Sequence, residues 1–232
     1  GTRVYDGTRA ALASDLSITN NLDGANLTLT GTGYASLEDV GTRSISNSVS
    51  ITRVQTATGS TGANSATSFS VNMSTAPIDG NTLIALIATR NSNPNTVSSI
   101  TQTGAIWTRA AQSNNTGGTS VEIWYAQARS VSGATISITL NQSNVFSTAS
   151  VVEYTGIMPL NPFDVSSSAT GNNSNVATGN ITPTQSNELI LAAIGVDASN
   201  LTLSSPTGSF ASFVSPSSTN GTASSNAKLF AL

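Results

Sequence analysis

The chain contains no histidine and no cysteine. Metal centres built on those ligands are therefore excluded by composition, as are Ser-His-Asp and Cys-His nucleophile systems. Carboxylates remain for acid–base work. Glu122 and Glu153 stand on neighbouring strand candidates, where they would face one another as the paired carboxyls of a glycosidase. A plainer reading is favoured: Glu122 lies between Val121 and Ile123, so alternation sends its side chain to the solvent face. Calcium needs several converging oxygens, whereas Asp23, Asp79 and Asp164 are isolated acids close to Gly or Pro and read as turn formers. No metal site, cofactor or catalytic residue is expected. Carbohydrate recognition asks for exposed aromatic rings, and Trp107, Trp124 and Tyr125 are the candidates for a glycan platform. Adjacent side chains in Trp124-Tyr125 must point to opposite faces, so one of the two leaves an inter-sheet core.

The elements that would carry these residues are organised around the stretch Gly80 to Thr89, GNTLIALIAT, which recurs about a hundred residues later as SNELILAAIG, Ser186 to Gly195. With an offset of 106, Leu83-Ile84 falls on Leu189-Ile190, and Val121-Glu122-Ile123-Trp124 on Ala227-Lys228-Leu229-Phe230. Recurrence of this kind predicts a duplicated β unit, with copies at about 66–156 and 176–232. The second copy reaches Leu232 without counterparts of the strand candidates at 135–140 and 149–155, so an incomplete sheet with an open edge is expected.

Leu83 to Ala88 and Leu189 to Ile194 are short continuous apolar runs bounded by turn residues, the signature of strands buried on both faces. They are expected in adjacent central strands. Phe69 and Val71 alternate with Ser and Asn as in a half-buried strand, and Ile106-Trp107, Val121 to Tyr125, Ile136 to Leu140, Val151 to Tyr154 and Phe210 to Val214 supply the rest. No segment carries a convincing helical period. The prediction is all-β: an antiparallel two-sheet jelly-roll-like sandwich over 51–232, preceded by a small β segment and linker over 1–50.

Only 8% of residues are charged, with a net charge of -3, and Ser, Thr, Asn and Gly fill the difference. Eight scattered Lys and Arg side chains cannot assemble the basic face that nucleic acid requires. No apolar run approaches a membrane span. A surface of hydroxyls and amides, with no His or Cys, suits exposure outside a bacterial cell. The same composition predicts stability that varies little between about pH 5 and 9.

Within the first 46 residues or so, Val4-Tyr5-Asp6-Gly7-Thr8, Leu29-Thr30-Gly31-Thr32-Gly33-Tyr34 and Asp39-Val40-Gly41-Thr42 resemble the YDG repeat module of large bacterial surface adhesins. Residues 51–232 resemble a jelly-roll-like domain of secreted bacterial multi-domain proteins. The residues that carry this second likeness are Gly80 to Ile84, Trp107-Thr108, Tyr154-Thr155-Gly156 and Asn161-Pro162-Phe163-Asp164. These resemblances imply fold and location and bring no catalytic residues with them. The expectation is a structural protein at the cell surface: a subunit of a fibre, or a stalk module of an adhesin. Leu27, Leu29, Ile45, Val49 and Ile51 are the candidate inter-subunit strand residues, adding to the main domain of the next copy in a head-to-tail homopolymer. A glycan-binding module with polysaccharide as partner is the alternative.

Overall fold

The computed structural model describes residues 10–12, 32–35, 45–46, 50–91, 95–129, 132–158, 161–173, 175–185, 188–197, 200–204, 210, 212, 214, 216–219 and 226–232. The chain divides into two compact units, Gly1–Ser50 and Ile51–Leu232. The first unit holds a three-stranded antiparallel sheet of β1 (Ala10–Leu12), β2 (Thr32–Ala35) and β3 (Ile45–Ser46), with β2 in the middle.

The second unit is all-β throughout its described residues. Its centre is a five-stranded antiparallel sheet in the order β4-β11-β6-β9-β8. These strands are β4 (Thr52–Ser60), β6 (Thr82–Arg90), β8 (Trp107–Asn114), β9 (Thr119–Gln127) and β11 (Phe146–Thr155). A three-stranded sheet of β5 (Ser68–Asn72), β10 (Thr135–Leu140) and β7 (Val97–Thr101), in that order, packs on one face. Phe69 and Val71 from β5, Ile136 and Ile138 from β10 and Ile100 from β7 meet Leu83, Ala85, Ile87 and Val151 across this β-sandwich interface. The alternation of β5 is clean, with Phe69 and Val71 buried between exposed Ser68, Ser70 and Asn72.

A third layer covers the opposite face. The short strands β12 (Ala193–Val196), β14 (Lys228–Ala231) and β13 (Ser217–Ser218) form an antiparallel sheet with β14 in the middle. Leu229 and Ala231 from β14 pack on Ile84, Leu86 and Ala88 of β6 and on Val152 and Tyr154 of β11. Every residue of β6 from Thr82 to Thr89 is consequently buried. Each large aliphatic side chain so enclosed contributes about 1.5–3 kcal/mol.

The second apolar run does not join β6 in one sheet. Residues 188–192 carry no strand, and Leu189, Leu191 and Ala193 lie half-buried against the far face of the central sheet, while Ile190 is 45% exposed. The places beside β6 are already held by β9 and β11, which pair with it along nearly its whole length. The segments aligned as second copies of β6 and β9 still pair antiparallel, as β12 and β14, but in another register. Ile87 faces Glu122, whereas its aligned position Ala193 faces Ala231 rather than Lys228. An odd slip of this kind reverses which side chains face the core. Gly195 seats this layer closely: a Cβ there would run into the Val121 side chain and stand 3.2 Å from that of Ala88.

Three of the four outer strands of the sandwich, all but β5, are irregular in the same way. β4, β7 and β8 each carry a register shift against the inner neighbour, leaving Val54, Ser98 and Ala110 as the extra residues. Bulges on edge strands twist them away from flat pairing with another chain. On the β4 side the two sheets also close on one another, since a Cβ on Gly59 would meet the backbone oxygen of Ser70 in β5.

Leu86 tests the third layer directly. Leu86→Ala is expected to cost about 2–5 kcal/mol in denaturant unfolding, and Ile190→Ala only about 0.5 kcal/mol. Equal and small effects would mean that the far face of β6 is not covered.

Candidate functional site

Glu122 and Glu153 are the buried acids, at 1% and 0% exposure, and each sits in its own cage of donors. The alternation that would place Glu122 in solvent presupposes one wet face. Here Ile123 and Tyr125 are enclosed by the third layer, and Glu122 points the other way, into the sandwich. Its Oε1 accepts the Val97 backbone N–H at 2.7 Å, and its Oε2 accepts Trp124 Nε1–H at 2.8 Å. Arg109, on the neighbouring strand, approaches Oε2 at 3.5 Å. One carboxylate thereby holds the start of β7 onto the central sheet.

Glu153 does the same at the other end. Its Oε1 accepts from Ile78 N–H at 2.8 Å and Asn81 Nδ2 at 2.6 Å, and Oε2 accepts from Gln55 Nε2 at 2.6 Å. The Gln55 carboxamide in turn grips the turn after β5: Nε2 also donates to Thr75 O at 3.2 Å, and Oε1 accepts from Ser74 Oγ at 2.9 Å and Thr75 N–H at 3.3 Å.

The two acids are not brought together. Glu122 lies opposite Ile87 and Glu153 opposite Leu83, on the two sides of β6. At about 3.3 Å per residue and about 4.8 Å per strand, that is roughly 13 Å along the sheet and 10 Å across it. Paired glycosidase carboxyls stand about 5–9.5 Å apart. What the arrangement does chemically is satisfy loop and strand N–H groups that would otherwise be buried unpaired.

The aromatic candidates are enclosed as well. Trp107 is 9% exposed within the sandwich core, its Nε1 donating to Gln102 Oε1 at 3.2 Å. Trp124 is half-buried against the same core, with the Arg109 guanidinium carbon 5.7 Å from its ring centroid. Tyr125 points to the opposite face, as adjacent strand residues must, and packs half-buried in the third-layer cluster. Neither neighbour had to reach solvent, because the sheet has two cores.

Among the described residues no group of three His, Cys, Asp or Glu side chains converges as a metal site. Asp164 accepts from Thr184 N–H at 2.8 Å and Thr184 Oγ1 at 2.9 Å, and Asp197 pairs with Arg90 at 3.7 Å. Asp79 is an exposed turn residue, and Asp23 lies outside the described residues. Of the candidate inter-subunit residues, Ile45 is in β3 opposite Ala35, and Ile51 is half-buried in the third-layer cluster of its own unit. Leu27, Leu29 and Val49 lie outside the described residues. Gln55, with its four hydrogen bonds, had no signal in the sequence beyond its place in a polar strand.

Burial pushes the Glu122 carboxyl above the ordinary glutamate value of 4.5, against the opposing effects of the Val97 N–H, Trp124 and Arg109. A raised acid keeps its proton in the folded state after the unfolded chain has released it. Stability therefore falls as pH rises from about 4.5 to the folded value of Glu122, so the level profile expected from composition gives way to a slope at its acid end. Exposed Asp164 has the opposite sign, being held low first by the Thr184 N–H, and its contribution is lost only as pH falls through its folded value. Denaturation midpoints measured from pH 4 to 8 are expected to show the Glu122 slope, and Glu122→Gln is expected to remove it. A wild-type profile already flat from pH 4 upward would contradict this account of Glu122. Glu153→Ala leaves three donors without their acceptor, and is expected to cost about 3 kcal/mol or more. Comparison with protein-family models, curated proteins and solved structures finds no match to this chain.

Proposed function

We propose that this chain is an extracellular structural module, a building block of a bacterial surface fibre or of an adhesin stalk. The observation that carries the reading is the use made of its two buried carboxyl groups. Glu122 accepts from the start of β7 in the facing sheet, and Glu153 accepts from the β5–β6 turn and from β4, so each fixes a different part of the sandwich. A module that transmits load needs its layers tied in this way. The sparsely charged composition, the lack of His and Cys and the N-terminal likeness to adhesin repeats support the same reading.

Assembly through β-strand contacts follows as part of the proposal. The outer strands β4, β7 and β8 are bulged and suit strand addition poorly. The small sheet of the first unit, with β1 and β3 at its edges, is the better donor. Trp107, Trp124 and Tyr125 are packed in cores, which favours this reading over glycan binding.

Light scattering and electron microscopy of the full chain, beside a variant lacking residues 1–50, test the proposal. Ordered self-association of the full chain that disappears on deletion is expected. A variant that still forms long fibres would remove the first unit as the joint, and a full chain that stays monomeric at every concentration would remove self-assembly altogether.

A further inference from the structure

The Gln55 carboxamide is placed as an acyl group ready for transfer. It is immobilised by hydrogen bonds at both ends, and the hydroxyl of Ser74 is one of the partners, with Oγ 2.9 Å from Oε1. Given a C=O length of about 1.23 Å, that Oγ stands about 3–4 Å from the Gln55 Cδ, a range whose near end is the approach distance of a reacting pair. The Thr75 backbone N–H points at Oε1 from 3.3 Å, where it would hold charge developing on that oxygen. On the nitrogen side stands Glu153, fully buried, with Oε2 2.6 Å from Gln55 Nε2. Its other oxygen is pinned by Ile78 N–H and Asn81 Nδ2, so the carboxyl is held facing the group that would leave.

A hydroxyl nucleophile, an oriented amide, an oxyanion donor and a buried acid beside the amide nitrogen are the parts of an acyl transfer. We propose that Ser74 and Gln55 join spontaneously in an intramolecular ester. Ser74 Oγ bonds to Gln55 Cδ, the Cδ–Nε2 bond breaks, and the hydroxyl proton leaves on the departing nitrogen, towards which the Glu153 carboxyl is turned. One ammonia is released, with no net oxidation or reduction. The product ties β4, an edge strand of the central sheet, to the turn that leads from β5 to β6. It supplies a covalent clasp to a chain with no cysteine for a disulfide.

The mass of the purified full chain decides the matter. Wild-type protein is expected to be lighter than its sequence by one ammonia, and the loss is expected in the tryptic peptide from Val54 to Arg90, which contains both partners. Fragmentation of that peptide should yield no backbone breaks between Gln55 and Ser74 until hydroxylamine opens the ester. Ser74→Ala should keep its ammonia. Wild-type protein at full sequence mass overturns the proposal. So does a light peptide that fragments freely between the two residues, or a Ser74→Ala variant that is equally light, since either result puts the ammonia loss elsewhere.

Discussion

Everything in the second unit follows from the two-sided burial of β6. A strand reading Thr-Leu-Ile-Ala-Leu-Ile-Ala-Thr has no polar face to offer water, so both of its faces must be roofed. One roof is the β5-β10-β7 sheet and the other is the small sheet around β14. Its two lateral neighbours, β9 and β11, must tolerate the same enclosure. β11 meets the requirement with small and hydroxylic side chains, and its buried stretch from Ser147 to Tyr154 holds Ser147, Thr148 and Ser150 among the apolar residues.

Enclosing a sheet on both faces leaves its polar side chains no route to solvent, which explains the treatment of the two glutamates. Each occupies an inward position beside β6 and is surrounded by donors from a different part of the chain: the start of β7 for Glu122, the β5–β6 turn and β4 for Glu153. A buried carboxylate without such partners would be strongly destabilising. With them it becomes a fixed point for the strand start and the turn that it holds.

The sequence was legible where burial alone determines pattern. The unbroken apolar run of β6 and the alternation of β5 both announce their surroundings, and both strands lie where that reading puts them. Legibility failed where the same pattern is compatible with two surroundings. Glu122 between Val121 and Ile123 reads as one wet and one dry face, but the strand has two dry faces. The run from Leu189 says that it must be covered, and nothing in it says by which sheet. β7 escaped notice for another reason: its buried Val97 and Ile100 are three apart, because the bulge at Ser98 breaks the period of two. The polar cage of Gln55 and Glu153 joins residues about a hundred positions apart, and no local signal marks such a contact.

The central claim, that β6 is the innermost element and that the third layer belongs to the same cooperative unit, is tested most directly by native-state hydrogen exchange. Amides of Thr82–Arg90 and of the adjacent β11 should exchange last and only through global unfolding, with β14 protected to a similar degree. Rapid exchange in β6, or a β14 that opens freely while β6 stays closed, would contradict the account.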